Sequence, residues 1–401
     1  MDIIRSINPL CFALAPYAAL ARTWHQIPIL MKQNPRSFNK YSDSALNTGT
    51  DVLFADDSWQ SFQFMRWRFQ LCAWIDYDEF GRRMDNWSVK HFGVRSRCLS
   101  WEGDPDAYVR RITRKRPSRI IRNHTHLLVY CPMKHTVLGF LDHYYCDGQH
   151  LIDLYRHLFN CQLGGVKLPK YTYYPFISDA MAIQTMFEIL AEFRRYPSQI
   201  HGIDDKTRVL SKIVKRHMDL EWNRWTIYAI GTLAIFDSMP DISYVTVGLT
   251  VGFDTDQTYG NNRIGVIIVL IQRATQPTFN ERVADVMAQY KIQATVKYAQ
   301  AHATYDIARG YDTHILCTPM RKAVDIIFTT LYVKELSQVE SGLVGFVGAL
   351  SKYEYLYINA VSFESCTYFT YTSNWKMDYS TLKDNGLTLE YEFDNGNPQQ
   401  C

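Results

Sequence analysis

The sequence predicts an α/β chain, an α+β sandwich of two lobes, each a mixed β-sheet flanked by helices. Three observations point there. Strand-sized apolar runs alternate with amphipathic helical ones in both halves of the 401 residues. A stretch rich in Gly, Pro and polar residues, 161–176 (CQLGGVKLPKYTYYPF), reads as a linker between them. A composition that is 47% hydrophobic and 14% aromatic supplies enough apolar surface for two cores of ordinary domain size. The expected organisation is an N-terminal lobe over 1–160, a linker and helical crossover over 161–220, and a C-terminal lobe over 221–401.

The elements follow in chain order. Residues 9–21 (PLCFALAPYAALA) are apolar, follow Arg5 and end in an Ala-Leu-Ala that resembles a signal-peptidase site, yet two prolines interrupt them and a folded helix is the better reading. Residues 25–31 (HQIPILM) have the length of a strand, and 62–75 carry the β-branched and aromatic content of another. Residues 76–92 begin acidic and space Phe80, Met84, Trp87 and Val89 as a helix would. Two strands, 125–131 and 136–142, flank the turn-prone Pro132-Met-Lys-His135. From 147 to 160, Leu151, Leu154, Tyr155 and Leu158 give one apolar helical face. Helical regions are expected over 178–217, broken near Pro197 and Gly202, and over 221–239. Strands are expected over 242–253, 263–272, 324–331 and 355–371, with a long helix over 278–301.

Charge and cysteine content exclude several classes. Lys and Arg number 43 against 40 acids, a net charge of +3, so no overall field favours nucleic acid or an anionic membrane. No run reaches the ~18–20 apolar residues that a spanning helix needs. Nine cysteines without CxxC spacing fit reduced thiols and an intracellular setting. Residues 110–122 (RRITRKRPSRIIR) hold seven basic side chains and no acid. A solvated face or subunit contact is the preferred reading of that patch, and a nucleic-acid partner is least favoured because stacking motifs are missing around it.

The chemistry concentrates in His143-Tyr-Tyr-Cys-Asp-Gly148, an HxxxDG motif where a strand-like run gives way to a helix-like one. A histidine at a strand end can face a cleft, and its near-neutral pKa lets it take a proton from a hydroxyl, amine or thiol that then attacks an acyl thioester. Asp147 would hold the turn through an ion pair or the free N–H groups of the following helix, and Gly148 lets the backbone pass close beneath. The bland alternative is a strand-end histidine satisfied by its neighbours. Cys146 reads as packing, since no partner is assigned to lower its pKa. His150 and His157, seven apart on the motif helix, and His124 and His126, alternate on a strand, lack the spacing or the third ligand of a metal site. Two glycosylation sequons, at Asn86 and Asn123, carry meaning only in a secreted chain.

With HxxxDG closing the first half, the chain resembles the chloramphenicol-acetyltransferase-like superfamily of acyltransferases, in its two-lobed form seen in BAHD enzymes, condensation domains and wax-ester synthases. Weaker echoes lie in Gly260-Asn-Asn-Arg263, in Asp325-Ile-Ile-Phe-Thr-Thr330, and in Asn359-Ala-Val-Ser-Phe363 followed by residues 368–375. The resemblance implies two chloramphenicol-acetyltransferase-like lobes with His143 as general base between them. It implies a hydroxyl from Thr329 or Thr330 near the reacting carbonyl, Asp147 and Gly148 as supports, and acyl-coenzyme A or an acyl-carrier thioester as co-substrate. The partners it implies are a small acyl acceptor and, for some donors, an acyl carrier protein. The sequence also departs from the pattern: DFGWG is missing, Asp142 stands where condensation domains have a second histidine, and the arginine expected near 254 is replaced. Arg22 and Arg263 remain candidate partners of Asp147. A rival expectation is a catalytically silent assembly protein on the same fold, such as a component of a viral or other large particle.

Overall fold

The computed structural model describes residues 7–32, 64–71, 76–92, 95–113, 126–142, 148–159, 169–170, 174, 176–200, 209–216, 223–254, 264–310, 324–332, 339–347, 356–362, 366–373, 375 and 377–394. Two mixed sheets carry the fold. The first has five strands in the order β2 (Arg97–Ser100), β3 (His126–Cys131), β4 (Thr136–Asp142), β1 (Phe64–Leu71) and β9 (Val339–Val347). The second has seven, in the order β12 (Leu387–Asp394), β5 (Val209–Arg216), β11 (Cys366–Ser373), β10 (Leu356–Ser362), β8 (Ile326–Tyr332), β6 (Tyr244–Gly252) and β7 (Ile264–Gln272).

One face of the first sheet is covered by α2 (Tyr77–Phe92) and the motif helix α4 (Gly148–Phe159), and the other by α3 (Pro105–Thr113). Between β3 and β4 the predicted turn is a short 3₁₀ stretch ended by His135 in the left-handed region, φ 44°. Trp67 of β1 lies directly over Gly139 of β4, its register partner, and any side chain at 139 would overlap the indole. The sequence suggests a strand over 25–31, whereas one helix, α1, runs Pro9–Lys32. Seven residues are too few for periodicity to separate a strand from the last turns of a helix. The buried face of α1 is built from Cys11 and Ala15, against Ala180 and Ile183 of α5 (Ile177–Arg195).

In the second sheet, β8 is flanked on both sides by parallel partners, β10 and β6. The apolar helix α6 (Arg224–Ser238) fills one face, with Gly231 against Phe328 and Ile358, while α5 covers part of the other through Ile189 and Phe193. Asn223 caps α6 by accepting from the N–H groups of Trp225 and Thr226. The helical region expected over 178–217 runs from Ile177 to Arg195, just ahead of the break expected near Pro197, whereas beyond that break Val209–Arg216 forms β5 between β11 and β12. Its apolar residues at 209, 210, 213 and 214 suit a helical face, but pairing on both edges decides the outcome. The expected strand over 355–371 is the hairpin β10–β11. Chain halves and sheets do not coincide, because β9 pairs antiparallel with β1 of the first sheet. The linker residues 161–168 and 171–173 lie outside the described residues.

The free edge of β7 is closed by side chains. The backbone N–H groups of Val266, Ile268, Leu270 and Gln272 donate to Thr304 Oγ1, Gln300 Oε1, Gln293 Oε1 and Gln289 Oε1 at 2.8, 2.6, 2.9 and 2.8 Å. These acceptors lie on α7 (Phe279–Val296) and α8 (Tyr298–Gly310), which divide the long helix expected over 278–301. Two strand residues advance about 6.8 Å and four helical residues about 6 Å, so i,i+4 side chains match alternate strand positions. The seven residues from Gln293 to Gln300 would advance about 10.5 Å in a straight helix, and the break at Lys297 absorbs the excess. The ladder occupies groups that would otherwise template association at the edge. Replacing Gln293 and Gln300 together by Leu is expected to cost about 2–5 kcal/mol in urea denaturation, since two strand N–H groups lose their acceptors. Size-exclusion chromatography should show added self-association.

Candidate functional site

The motif falls where strand gives way to helix. β4 ends at Asp142, immediately before His143, and α4 begins at Gly148. His143, Cys146 and Asp147 lie outside the described residues, as do Arg263, residues 260–262, 114–122 and 123–125. The flanks therefore locate the site.

α4 is fixed to α2 along its length. Trp87 Nε1 donates to Asp153 Oδ2 at 3.1 Å, His91 Nε2 lies 3.5 Å from the same oxygen, and Arg83 donates to the Leu158 carbonyl at 3.1 Å near the helix end. Beneath these contacts Tyr155 meets the rings of Phe69 and Trp67 edge-on at 4.9 and 5.9 Å. Burial pushes the His91 imidazole below its ordinary pKa, with Lys90, His150 and His157 adding to the shift and Asp153 opposing it. A histidine held low is neutral when folded, so its stabilising contribution is full above the unfolded value and is lost as pH falls. Stability should therefore decline from about pH 7 toward pH 5. Replacing His91 by Gln is expected to flatten that part of the profile, read by urea midpoints across the range.

The second sheet supplies the opposite wall through β8. A Cβ placed on Gly148 would lie 2.9 Å from Leu331 Cδ2, so the first turn of α4 sits directly against that strand. Side chains alternate along β8. Phe328 and Thr330 face α6, where Tyr228 packs edge-on to Phe328 at 4.8 Å and its hydroxyl lies 3.3 Å from Thr330 Oγ1. Ile327, Thr329 and Leu331 take the other face, the one that meets α4. Of the two threonines the sequence singles out, Thr329 shares the face of the motif helix and Thr330 is turned to α6. Thr329 Oγ1 accepts from Thr250 Oγ1 of β6 at 3.2 Å. Asp325, just before β8, accepts from the N–H and hydroxyl of Thr246, both at 2.8 Å, and from Ser198, which ties β8 to β6.

Sequence reasoning missed the neighbours of Thr329. Register places Asn359 of β10 beside Thr329 and Thr370 of β11 beside Asn359, so the three share a face. The signal available was Asn359 at the centre of a largely apolar strand, LYINAVS, and threonines interleaved with aromatic residues in CTYFTYTS.

His150 is buried and His157 exposed, so the seven-residue spacing does not bring them to one surface. Among the described residues no group of three His, Cys, Asp or Glu could hold a metal. Of the Asn86 sequon, Ser88 is fully buried within α2. Among the described residues Cys11, Cys98, Cys131 and Cys366 form no disulfide, and burial raises the first three, Cys131 to about 11, so those three stay as thiols. Arg111 lies over the Trp101 ring at 5.6 Å. Among the described residues no helix is long and apolar enough to cross a membrane.

The contact of Gly148 with Leu331 makes a measurable coupling. Gly148→Val should lower stability by about 1–3 kcal/mol through overpacking. Combined with Leu331→Ala, which opens the space, it should cost markedly less than the sum of the two single changes. A double-mutant cycle in urea checks this.

No family model and no curated protein sequence matches the chain. Solved structures do. The starter condensation domain of rhizomide synthetase, a mutant in complex with C8-CoA, superposes with a TM-score of 0.51 at 10% identity, over 84% of this chain and 89% of that one. The first condensation domain of the calcium-dependent antibiotic synthetase, in complex with a substrate analogue, gives 0.51 at 11% identity, over 82% and 90%. The chain thus has the condensation-domain fold, two mixed sheets flanked by helices.

Proposed function

We propose that the protein is an acyltransferase that moves an acyl group from a thioester donor, coenzyme A or a carrier protein, to a hydroxyl or amine acceptor. The observation that carries this reading is the seat of the HxxxDG helix. Its first residue, Gly148, rests on the strand of the second sheet that presents Thr329 to the same side. A motif occurring by chance has no reason to fall at the join between the two sheets.

In the proposed reaction His143 takes the proton of the acceptor as its oxygen or nitrogen attacks the thioester carbonyl. The Thr329 hydroxyl donates to the oxyanion that forms. Collapse breaks the C–S bond, and the imidazolium returns its proton to the leaving thiolate. No acyl-enzyme is required. The reading gives Asp147 the role of supporting the motif, and Gly148 keeps the backbone close to β8. Thr330 supports the strand through Tyr228, whose phenol burial keeps protonated. The bound C8-CoA of the rhizomide synthetase domain makes an acyl-coenzyme A a reasonable first donor to test. An intracellular setting accords with Cys11, Cys98, Cys131 and Cys366, which form no disulfide among the described residues.

Thiol release from a panel of acyl-coenzyme A donors, each with a hydroxyl and an amine acceptor, tests the reading. His143→Ala should slow it about 10²- to 10⁴-fold. Thr329→Val should lower kcat by up to about 10²- to 10³-fold, as loss of one oxyanion donor does elsewhere. Equal rates for wild type and His143→Ala would remove the histidine from the mechanism. Silence with every donor, together with self-assembly into particles, would favour the assembly role.

A further inference from the structure

On the face of the second sheet that meets the motif helix, four uncharged polar side chains stand side by side: Thr250 of β6, Thr329 of β8, Asn359 of β10 and Thr370 of β11. Thr372 lies two residues beyond Thr370 on the same face. The row runs inward, from the partly exposed Thr250 and Thr329 to Asn359 at 4% exposure, Thr370 at 0% and Thr372 at 6%. Asn359 Nδ2, Thr370 Oγ1 and Thr372 Oγ1 are sealed from the surface and have no hydrogen-bond partner among the described residues. Apolar side chains border the row, Leu331, Val361 and Tyr368 toward the motif helix and Ile327 and Tyr357 on the far side.

Buried polar groups are almost always satisfied, and a run of unsatisfied ones in the middle of a sheet calls for an occupant. The row offers an amide N–H₂ and hydroxyls without a charge, which suits a neutral donor–acceptor group and leaves a hydrocarbon with nothing to exchange for it. Adjacent strands lie about 4.8 Å apart, so Asn359 and Thr370 reach about 5 and 10 Å from Thr329. If Thr329 holds the carbonyl oxygen, the atoms at those distances belong to the acyl chain. We propose that Asn359 and Thr370 form a selectivity strip that binds a hydroxyl or an amide on the acyl chain of the donor and disfavours an unsubstituted hydrocarbon chain. The strip rests on the acyltransferase reading for its placement, though its binding can be measured without turnover.

Calorimetric titration of the full chain carrying His143→Ala separates the two. The probes are octanoyl-coenzyme A and two thioesters of equal chain length, 3-hydroxyoctanoyl-coenzyme A and N-pentanoylglycyl-coenzyme A, which tell the hydroxyl source from the amide. At least one polar chain should bind about tenfold more tightly than octanoyl, the value of one added buried hydrogen bond. Asn359→Leu and Thr370→Val should erase that preference. The near-isosteric Thr370→Val should also leave the Tm of the free protein unchanged or higher, since an unpaired hydroxyl is removed. Octanoyl-coenzyme A bound as tightly as both polar chains would overturn the strip, as would a preference that survives both substitutions, or a Tm that falls by several degrees in Thr370→Val. A preference lost in the variants without thiol release by the protein retaining His143 would leave the strip standing and count against the acyltransferase reading alone.

Discussion

The pairing of β9 with β1 is the constraint on which the arrangement of the site depends. Residues 339–347 leave the second half of the chain and complete the first sheet, in register from Phe64 opposite Val347 to Gln70 opposite Ser341. Without that strand β1 would present an open edge. With it, the second half is bound to the first sheet by backbone hydrogen bonds as well as by side-chain packing. The core under the motif helix shows the consequence. Trp67 and Phe69 of β1, Leu151 and Tyr155 of α4, and Leu331, Val361 and Tyr368 of the second sheet belong to one buried cluster. Each fully buried apolar side chain there contributes roughly 1.5–3 kcal/mol. The partly exposed pair Glu79–Arg82 on α2, an i,i+3 contact, adds at most about 1 kcal/mol. Apolar burial and strand pairing, then, hold Gly148 to β8.

What the sequence disclosed follows from the range of the forces involved. β4, the motif helix, β7 and the β10–β11 segment carry strong local patterns, and their boundaries fall within a few residues of those expected. β5 and β9 are set by partners far along the chain. Val209–Arg216 reads locally as a helix, and Val339–Val347, with glycines at 342 and 345, has a weak strand signal of its own. β2 and α3 are short or polar enough to leave little pattern, whereas β12, LTLEYEFD, alternates apolar and polar residues and is legible as a strand. The candidate site divides in the same way. HxxxDG is a local string, whereas the choice between Thr329 and Thr330 depends on which face of β8 meets α4, and Asn359 and Thr370 become neighbours of Thr329 only through register.

The two faces of the second sheet have been built to different ends. The face under α6 is filled by Ile326, Phe328, Ile358, Phe369 and Tyr371, with Tyr228 and Gly231 of the helix packed between them. That is the near-continuous apolar filling expected of central parallel strands buried on both sides. The opposite face breaks the rule at the level of Thr329. Valine in place of Thr370 would fill the same volume with no donor to satisfy, so packing alone does not account for the polar row. Departures of this kind, where consistency across a core gives way at one level of the sheet, concentrate at functional sites.

Fold likeness and chemistry rest on separate evidence in this chain. At 10–11% identity the superposition on condensation domains reports a backbone arrangement that many sequences of suitable pattern and volume can reach. The same scaffold can carry different functions, so the argument for acyl transfer has to come from particular side chains. It comes from three that are independent of one another in the sequence. The HxxxDG string stands in the first half, Thr329 arrives from a strand nearly two hundred positions later, and the unsatisfied Asn359 arrives from the next strand over. The fold brings Gly148 of the motif against the strand of Thr329 and sets Asn359 beside it. An assembly protein that had kept only the scaffold would gain nothing from leaving polar groups unpaired in its core, and substitution toward apolar residues would stabilise it. These groups lie beside the motif, and their place there is what joins the row to the proposed acyl transfer.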